Sequence, residues 1–331
     1  MANNCPQLTM AVPTRRVFET VYNGQLYTQT FTGTDNDSAN FDTESVSEWV
    51  DGGAYAVGQW VKISSLKMKY LCGIDATNAY PPDGGADWKG IPLSSWRYRD
   101  STPTRQSIKE YVEGENIVID LGLSMQTNFL FINNMENINN LKVESIDAEG
   151  NVIDVLDEED LFTWVNFDCC NCCQSIWDLK SNYSLFFSSC NQYPKIRITL
   201  YVVEDKIAKV GTCAVGNSIT VGRVTKYVAP NLKNTKKLKE NPIDNNLDTT
   251  DGVSYGDYPV VLDTVDIPNT NYLNKILLEN QSQLCYFDLG FDGEDLSVFM
   301  GFYNDYIPQI GGIWEKPLSL KINVTLKAKG A

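Results

Sequence analysis

Residues Tyr193 to Val224 read YPKIRITLYVVEDKIAKVGTCAVGNSITVGRV, which contains two strand signals in series. In the first signal, apolar residues alternate with polar ones, a period of two that is typical of a strand with one buried face. The apolar positions are Ile196, Ile198, Leu200 and Val202. The second signal is interrupted by Gly211, Gly216 and Gly222, which predicts short strands with sharp turns in which glycine adopts a positive φ. We expect one β-domain to end and the next to begin here.

Strand signals recur on both sides of this stretch. Before it, the segments 116–122, 127–134 and 141–153 each indicate strands with polar turns between them. After it, 258–265, 299–306 and 318–326 indicate further core strands. Since helical periodicity is almost absent, the predicted fold is all-β, with two jelly-roll-like β-sandwich domains and a small N-terminal aromatic-rich three-stranded module.

The predicted domain boundaries follow changes in composition along the chain. Residues 1–45 are predicted to form an N-terminal arm or a strand laid on a neighbour. They are followed by a small carbohydrate-binding-like module at 46–95, a polar linker at 96–114, a jelly-roll β-sandwich at 115–205 and a second β-sandwich at 206–331. The linker prediction rests on Thr102-Pro-Thr, because the residue before proline disfavours helix.

Composition limits the chemistry that this chain can perform. It contains 331 residues, carries a formal net charge of −15 and has no histidine. The charge argues against nucleic acid as a partner and against an anionic membrane surface. Without histidine there is no Ser-His-Asp or Cys-His nucleophile and no His-ligated metal. Carboxylate, tyrosine and lysine chemistry is left open by this composition, but we expect no enzyme, no cofactor, no metal and no nucleic-acid partner.

The chain shows no signal-peptide pattern and no apolar run that could span a bilayer. We accordingly expect assembly in a host cytoplasm and no membrane insertion.

The glycine-rich half of the opening stretch resembles the central segment of a group of bacteriophage tail structural proteins. The pattern is a strand ending in Ile-Arg-Ile-Thr-Leu, followed by Val-Gly-x-x-x-Val-Gly-x-x-x-x-Val-Gly. The resemblance implies a virion protein of the tail, from the baseplate, fibre or collar region. Its partners would be other virion proteins and further copies of itself in a symmetric oligomer. A separate resemblance, of Ile119-Asp-Leu-Gly and Asp147-x-x-Gly to discoidin-like jelly rolls, implies that residues 115–205 connect or bind through loops.

The segment from Trp49 to Ile91 resembles small chitin-binding-type carbohydrate modules. Its pattern is Trp, then Tyr-x-x-Gly-x-x-Val, then Tyr-x-Cys, then a Pro/Gly loop that closes on Trp. The resemblance implies that Trp49, Tyr55 and Trp88 contact glycan, and Trp60 is a fourth candidate although it departs from the family pattern. Aromatic faces stack on sugar rings. The alternative is that these rings are the core of a unit too small to bury much else.

Acidic stretches raise two alternatives. Asp157-Glu-Glu-Asp could supply the paired carboxylates of a glycan depolymerase, but we expect a solvated loop or a first helical turn. The sparse set Asp35, Asp37, Asp42 and Glu44 lacks the glycine of a calcium loop and predicts another solvated loop.

A cell-surface adhesin is the other alternative function for the whole chain, and it would carry an export signal.

Nine cysteines leave at least one without an intrachain partner. For the cluster Cys169, Cys170, Cys172 and Cys173, together with Cys190, we expect local disulfides or packed thiols first, bonds between subunits second and a metal site third.

Four lysines precede an acidic run and are candidates for docking a neighbouring subunit. They are Lys233, Lys236, Lys237 and Lys239.

Overall fold

The computed structural model describes residues 7–35, 37–74, 79–83, 87–100, 105–123, 127–166, 175–179, 182–187, 194–226, 231–234, 238–240, 247–249, 254–263, 285–288, 298–309 and 319–325. They form two compact units, residues 14–215 and residues 1–13 with 216–331. Nearly all the regular structure is β, which confirms the predicted fold class. Within the part that is described, none of the helices has the length and apolar character that a membrane span requires.

The strands of the first half are β1 (Gln7–Pro13), β2 (Arg15–Tyr22), β3 (Gln25–Thr32), β4 (Ser38–Ala39), β5 (Ser47–Glu48), β6 (Trp60–Ile63), β7 (Met68–Cys72), β8 (Trp88–Pro92), β9 (Ser107–Glu110), β10 (Ile117–Gly122), β11 (Phe129–Asn133), β12 (Ile138–Ile146), β13 (Val152–Asp160), β14 (Phe162–Asn166), β15 (Ser175–Leu179) and β16 (Tyr183–Phe186). The remainder are β17 (Lys195–Val202), β18 (Ile207–Val210), β19 (Thr212–Lys226), β20 (Asn231–Asn234), β21 (Leu238–Glu240), β22 (Leu247–Thr249), β23 (Ser254–Asp263), β24 (Cys285–Asp288), β25 (Val298–Gln309) and β26 (Ser319–Thr325). Short 3-10 helices occupy Ser64–Leu66 and Ser94–Arg99.

Strand β17 is the centre of a five-stranded sheet with the order β13-β12-β17-β10-β4. Ile198 lies opposite Val143 of β12 on one side and Ile119 of β10 on the other. The apolar residues predicted to face inward are all buried, and they share a core with Leu130 and Ile132 of β11. The alternation in the opening stretch therefore predicted the core strand correctly, because burial of alternate side chains is what fixes a strand's register.

A second core lies in the small module, where β5 pairs in parallel with β6 and the strands β6, β7 and β8 are antiparallel. The hairpin β2–β3 packs on this sheet through Phe18 and Phe31. Both phenylalanine rings also meet the Trp96 ring edge to face, and the ring centroids are 5.2 Å apart for Phe18 and 6.1 Å apart for Phe31. The first strands of the chain thus supply part of the module's core.

A buried ion pair joins the end of the hairpin to residues predicted as a linker. Arg99 has no exposed surface, and its Nη2 lies 3.0 Å from Oδ2 of Asp37, whose side chain is also buried. Its Nε donates to the carbonyl of Thr32 at 2.7 Å. A β-carbon at Gly33 would lie 2.0 Å from that carboxylate, so only glycine leaves room for the pair. The segment 94–100, most of which was predicted as a linker, therefore contains buried structure. Its buried cation Arg99 is compensated by a carboxylate that is distant in sequence.

In the unit of residues 1–13 and 216–331, six antiparallel strands form a closed ring. β1 pairs with residues 216–223 of β19 and with β24, and the order continues through β25, β26 and β23 back to β19. The prediction of sharp turns at the glycines of this region was wrong at Gly216 and Gly222, which both lie inside the continuous strand β19. A β-carbon at Gly216 would lie 2.4 Å from the carbonyl oxygen of Val12, so this glycine permits close approach of β1.

Candidate binding faces

Two of the four predicted glycan-contacting residues lie in the core of the small module. Tyr55 is 8% exposed, and its hydroxyl accepts from the Val50 amide at 2.7 Å and donates to the Val50 carbonyl at 3.0 Å. Trp88 is 4% exposed, and its Nε1 donates to the carbonyl of Ala79 at 3.1 Å. The two rings meet edge to face with centroids 5.7 Å apart. Their faces and polar atoms are thus used within the fold.

Trp49 belongs to a partly buried aromatic cluster with two tyrosines. Its ring lies 5.4 Å from that of Tyr22 and 5.0 Å from that of Tyr80, and those two tyrosines stack on each other at 4.3 Å. The indole Nε1 is buried and has no hydrogen-bond partner among the residues that the structure describes. Tyr22 was not predicted to belong to this aromatic cluster, because residues 1–45 were assigned to an arm. The alternation of residues in β2 nevertheless puts Phe18 and Tyr22 on one face of the strand.

Carboxylates hold the tyrosines at the rim of this cluster. Tyr22 donates to Asp51 at 2.8 Å, and Tyr27 donates to Asp83. Desolvation and the hydrogen bond to Asp83 raise the pKa of Tyr27 to about 12. Both phenols therefore stay protonated at neutral pH and act as hydrogen-bond donors.

Trp60 lies on the opposite, outer face of the sheet and is partly exposed. The register places Trp60, Leu71 and Lys89 in one cross-strand row, and Lys62, Lys69 and Ile91 in the next. We call these six residues the Trp60 face.

One edge of the Trp60 face is closed by Glu44. Lys69 has its Nζ 4.5 Å from the centre of the Trp60 ring and forms an ion pair with Glu44. Glu44 also accepts from the Ser94 amide at 2.6 Å. Desolvation raises the pKa of Glu44, but the hydrogen bonds from Lys69 and Ser94 outweigh it and leave that pKa below its usual value. Among the described residues, Lys62 and Lys89 form no ion pair.

The acidic run at 157–160 lies in strand β13, so the expectation of a loop or helical turn was wrong. Pairing with β12 draws it into the sheet, with Glu158 opposite Lys142. The Asp157 carboxylate accepts from the Tyr183 hydroxyl at 2.5 Å, which together with desolvation raises the pKa of that tyrosine far above its usual value.

Strand β13 is an edge strand with exposed apolar side chains. It pairs with β12 alone within its sheet, and Val152, Ile153 and Val155 are 50%, 49% and 47% exposed. Bulges interrupt the pairing next to Ile153 and Leu156. Natural sheets usually protect such an edge with charges and bulges. Here the charges are concentrated at 157–160, and the apolar half, residues 152–156, has Asp154 as its only charge.

The hairpin β2–β3 also exposes apolar residues on its outer face. Val17, Val21 and Leu26 are 51%, 66% and 55% exposed, and Val21 lies opposite Leu26. The alternate residues Phe18 and Phe31 point into the core. The outer face of the hairpin thus mixes exposed apolar side chains with polar residues such as Glu19 and Thr28, and its apolar part is a candidate contact surface.

The expectation of a solvated loop for the acids considered for calcium was wrong at Asp37, whose side chain is buried in its ion pair with Arg99. Each of the four acids has its own cation partner, which for Glu44 is Lys69. Asp35 pairs with Arg16, Asp37 with Arg99, and Asp42 lies 3.8 Å from Lys109. In the described part of the chain, no three histidine, cysteine or carboxylate groups come together as metal ligands.

The predicted thiol cluster Cys169, Cys170, Cys172, Cys173 and Cys190 lies outside the described residues. Of the cysteines that are described, Cys72 and Cys213 are buried free thiols, and Cys285 is also buried. Burial is the main cause that raises the pKa of Cys213 far above its usual value, so this thiol is unreactive.

Two of the predicted docking lysines lie on described strands. Lys233 is in β20, which pairs with β23, and Lys239 in β21 lies opposite Asp248 of β22. Lys236 and Lys237 lie outside the described residues.

No family model matches this chain, and no curated protein matches it. Among solved structures, it is similar to the GH29 fucosidase of Ruminococcus gnavus in complex with fucose and to a mutant of that fucosidase, also in complex with fucose. Each match has 17% identity and a TM-score of 0.24, and covers 38% of this chain and 23% of the fucosidase chain. The chain therefore spans less than a quarter of the length of the structures that it matches.

Proposed function

We propose that this chain is a non-enzymatic structural protein of a bacteriophage tail, in the baseplate, fibre or collar region. It works by docking on neighbouring virion subunits, further copies of itself among them. The observation that carries the docking proposal is the apolar half of β13, an edge strand with three side chains about half exposed. An open edge of this kind pairs readily with another chain, because its backbone groups are free to bond. The tail assignment rests on the resemblance at Tyr193–Val224.

The outer face of the β2–β3 hairpin supports the same proposal. Val17, Val21 and Leu26 form a second apolar surface on unit 14–215. Repeated subunits in a symmetric assembly cover such surfaces with one another.

The acidic run gives little support to the alternative of a depolymerase. In that enzyme, two carboxylates would flank the scissile bond. Here the acids follow one another along an edge strand, where Asp154, Glu158 and Asp160 are exposed to water.

Glycan binding is a second candidate function, which the Trp60 face favours. A partly exposed tryptophan on a sheet face, with polar groups beside it, suits a sugar ring. Trp49, Tyr55 and Trp88, by contrast, are engaged with other rings of the module.

The docking proposal is tested by measuring mass with light scattering over a concentration series, with and without reductant. We expect a mass above the 37.1 kDa of one chain that rises with concentration. The double variant Ile153→Lys/Val155→Lys should lower it, since charge on an edge strand opposes pairing. The matched control Val112→Lys changes a 47% exposed valine outside the strands. A monomer at every concentration, or equal loss in the control, would overturn docking through β13.

A further inference from the structure

We infer that the Trp60 face binds an acidic polysaccharide, with Trp60 stacking on a sugar ring and Lys62 and Lys89 pairing with its anionic groups. The inference rests on the glycan-binding part of the proposed function, and it names the class of ligand. It is independent of docking through β13.

The first step is geometric. Lys62 follows Trp60 by two residues on β6, and side chains two apart on a strand lie about 7 Å from each other on one face. Lys89 lies in the same row as Trp60 two strands away, a separation of about 10 Å. The two ammonium groups thus flank the ring in two directions, along the strand and across the sheet.

The second step is the charge balance of this face. The chain carries a net charge of −15, yet three of the six residues here are lysines. Lys69 is neutralised by Glu44, whereas Lys62 and Lys89 have no ion pair among the described residues. Glu48 is the register partner of Lys62, but its carboxylate accepts from the Ser64 amide and hydroxyl at 2.8 and 2.7 Å. Those donors are neutral, so Glu48 keeps its negative charge, and the three lysines exceed Glu44 and Glu48 by one positive charge that can attract an anion.

The third step separates a sugar from an acidic peptide. The ring of Trp60 is partly exposed, with the Lys69 ammonium 4.5 Å from its centre and apolar Leu71 beside it in the row, which gives an aromatic and aliphatic surface. Such a surface matches the apolar face of a pyranose ring, while the lysines select for acidic substituents. An acidic peptide would use the lysines and need not contact the ring, which already has the Lys69 ammonium beside it.

The test measures binding of the full chain to polygalacturonate, with chitohexaose as a neutral glycan and polyglutamate as an acidic peptide. We expect salt-sensitive binding to polygalacturonate, because the paired charges are screened by salt. The variants Trp60→Ala and Lys62→Gln/Lys89→Gln should each weaken it about tenfold, a change of about 1.4 kcal/mol. The control Lys206→Gln, at an exposed lysine in a turn elsewhere in the unit, should bind like wild type.

Other outcomes would overturn the inference in different ways. Equal binding of chitohexaose that is unaffected by Lys62→Gln/Lys89→Gln would show a neutral-glycan site. Equal binding of polyglutamate would show a peptide site, and no binding to any probe would remove glycan binding from the proposed function. Because Lys62 and Lys89 are surface residues, we expect Lys62→Gln/Lys89→Gln to keep the fold. Circular dichroism checks that Trp60→Ala is also folded. The mass measured by light scattering reports separately on docking.

Discussion

Individual residues decide how the small module is attached to the rest of unit 14–215. The buried pair of Arg99 and Asp37 lies where the β2–β3 hairpin ends, and Asp37 also accepts from the amide of Gly122 in β10 at 2.8 Å. Desolvation lowers the pKa of Arg99, and the nearby Asp37 carboxylate opposes that effect. The pair therefore holds the hairpin, the 3-10 helix and β10 together.

Breaking this pair should be costly. Arg99→Met would leave the Asp37 carboxylate buried without its cation, and we expect a loss of about 3 to 5 kcal/mol in the free energy of unfolding. Urea unfolding measures it. The control Arg105→Met removes an ion pair to Asp100 from a side chain that is 44% exposed, and should cost less than about 1 kcal/mol. Equal losses in both variants would contradict the role given to Arg99.

The lowered pKa of Glu44 predicts a pH dependence. Its folded pKa lies below its unfolded one, so its contribution to stability is present above the ordinary glutamate range and is lost as the pH falls through the folded pKa. In Glu44→Gln the free energy of unfolding should therefore decline less on acidification than in wild type. Urea unfolding across the acid range checks this. Glu113→Gln, in an exposed loop, should follow the wild-type curve, and a Glu44→Gln curve parallel to wild type would refute the prediction.

At the scale of elements, the aromatic residues of the module have two different roles that the sequence pattern does not separate. The sequence offers both Trp88, which fits the pattern, and Trp60, which departs from it, as glycan-contacting candidates, but the register puts them on opposite faces of one sheet. Which face is buried depends on the β2–β3 hairpin packing over it, which is a long-range contact.

Truncating these two tryptophans should separate the roles. Trp88→Ala empties a core position and should cost about 3 to 5 kcal/mol of unfolding free energy. Trp60→Ala should cost much less, because its ring is partly exposed. Thermal and urea unfolding of the two variants compare them, and similar losses would show that Trp60 is a core residue.

Gly216→Ala tests the contact between β1 and β19. The added methyl would lie 2.4 Å from the Val12 carbonyl oxygen, so β1 must move, and overpacking of this kind costs about 1 to 3 kcal/mol. We expect a lower melting temperature and faster proteolysis of the first residues. Asn217→Ala on the same strand is the control, and a Gly216→Ala protein as stable as this control would exclude the close approach.

For the molecule as a whole, local sequence patterns predicted many of the strands, whereas long-range pairing determined which strands are neighbours and which faces are buried. The alternation in β17 sufficed to predict a core strand, since both its neighbours bury the same face. The acids of β13 carried no alternating apolar signal, so their strand was missed. The ring formed by β1 with strands more than 200 residues away could not be read from local spacing, because nothing in Gln7–Pro13 specifies its partner. Of the candidate sites, the sequence identified Trp60 but not its flanking lysines.

The central claim is that β13 docks on another chain, and amide hydrogen exchange tests it most directly. Exchange at residues 152–155 should be measured at low and high protein concentration, in wild type and in Ile153→Lys/Val155→Lys. We expect these amides to become more protected as concentration rises in wild type, because strand pairing engages the free backbone groups of an edge. The variant should show no such change. Equal, concentration-independent exchange in both proteins would contradict the claim.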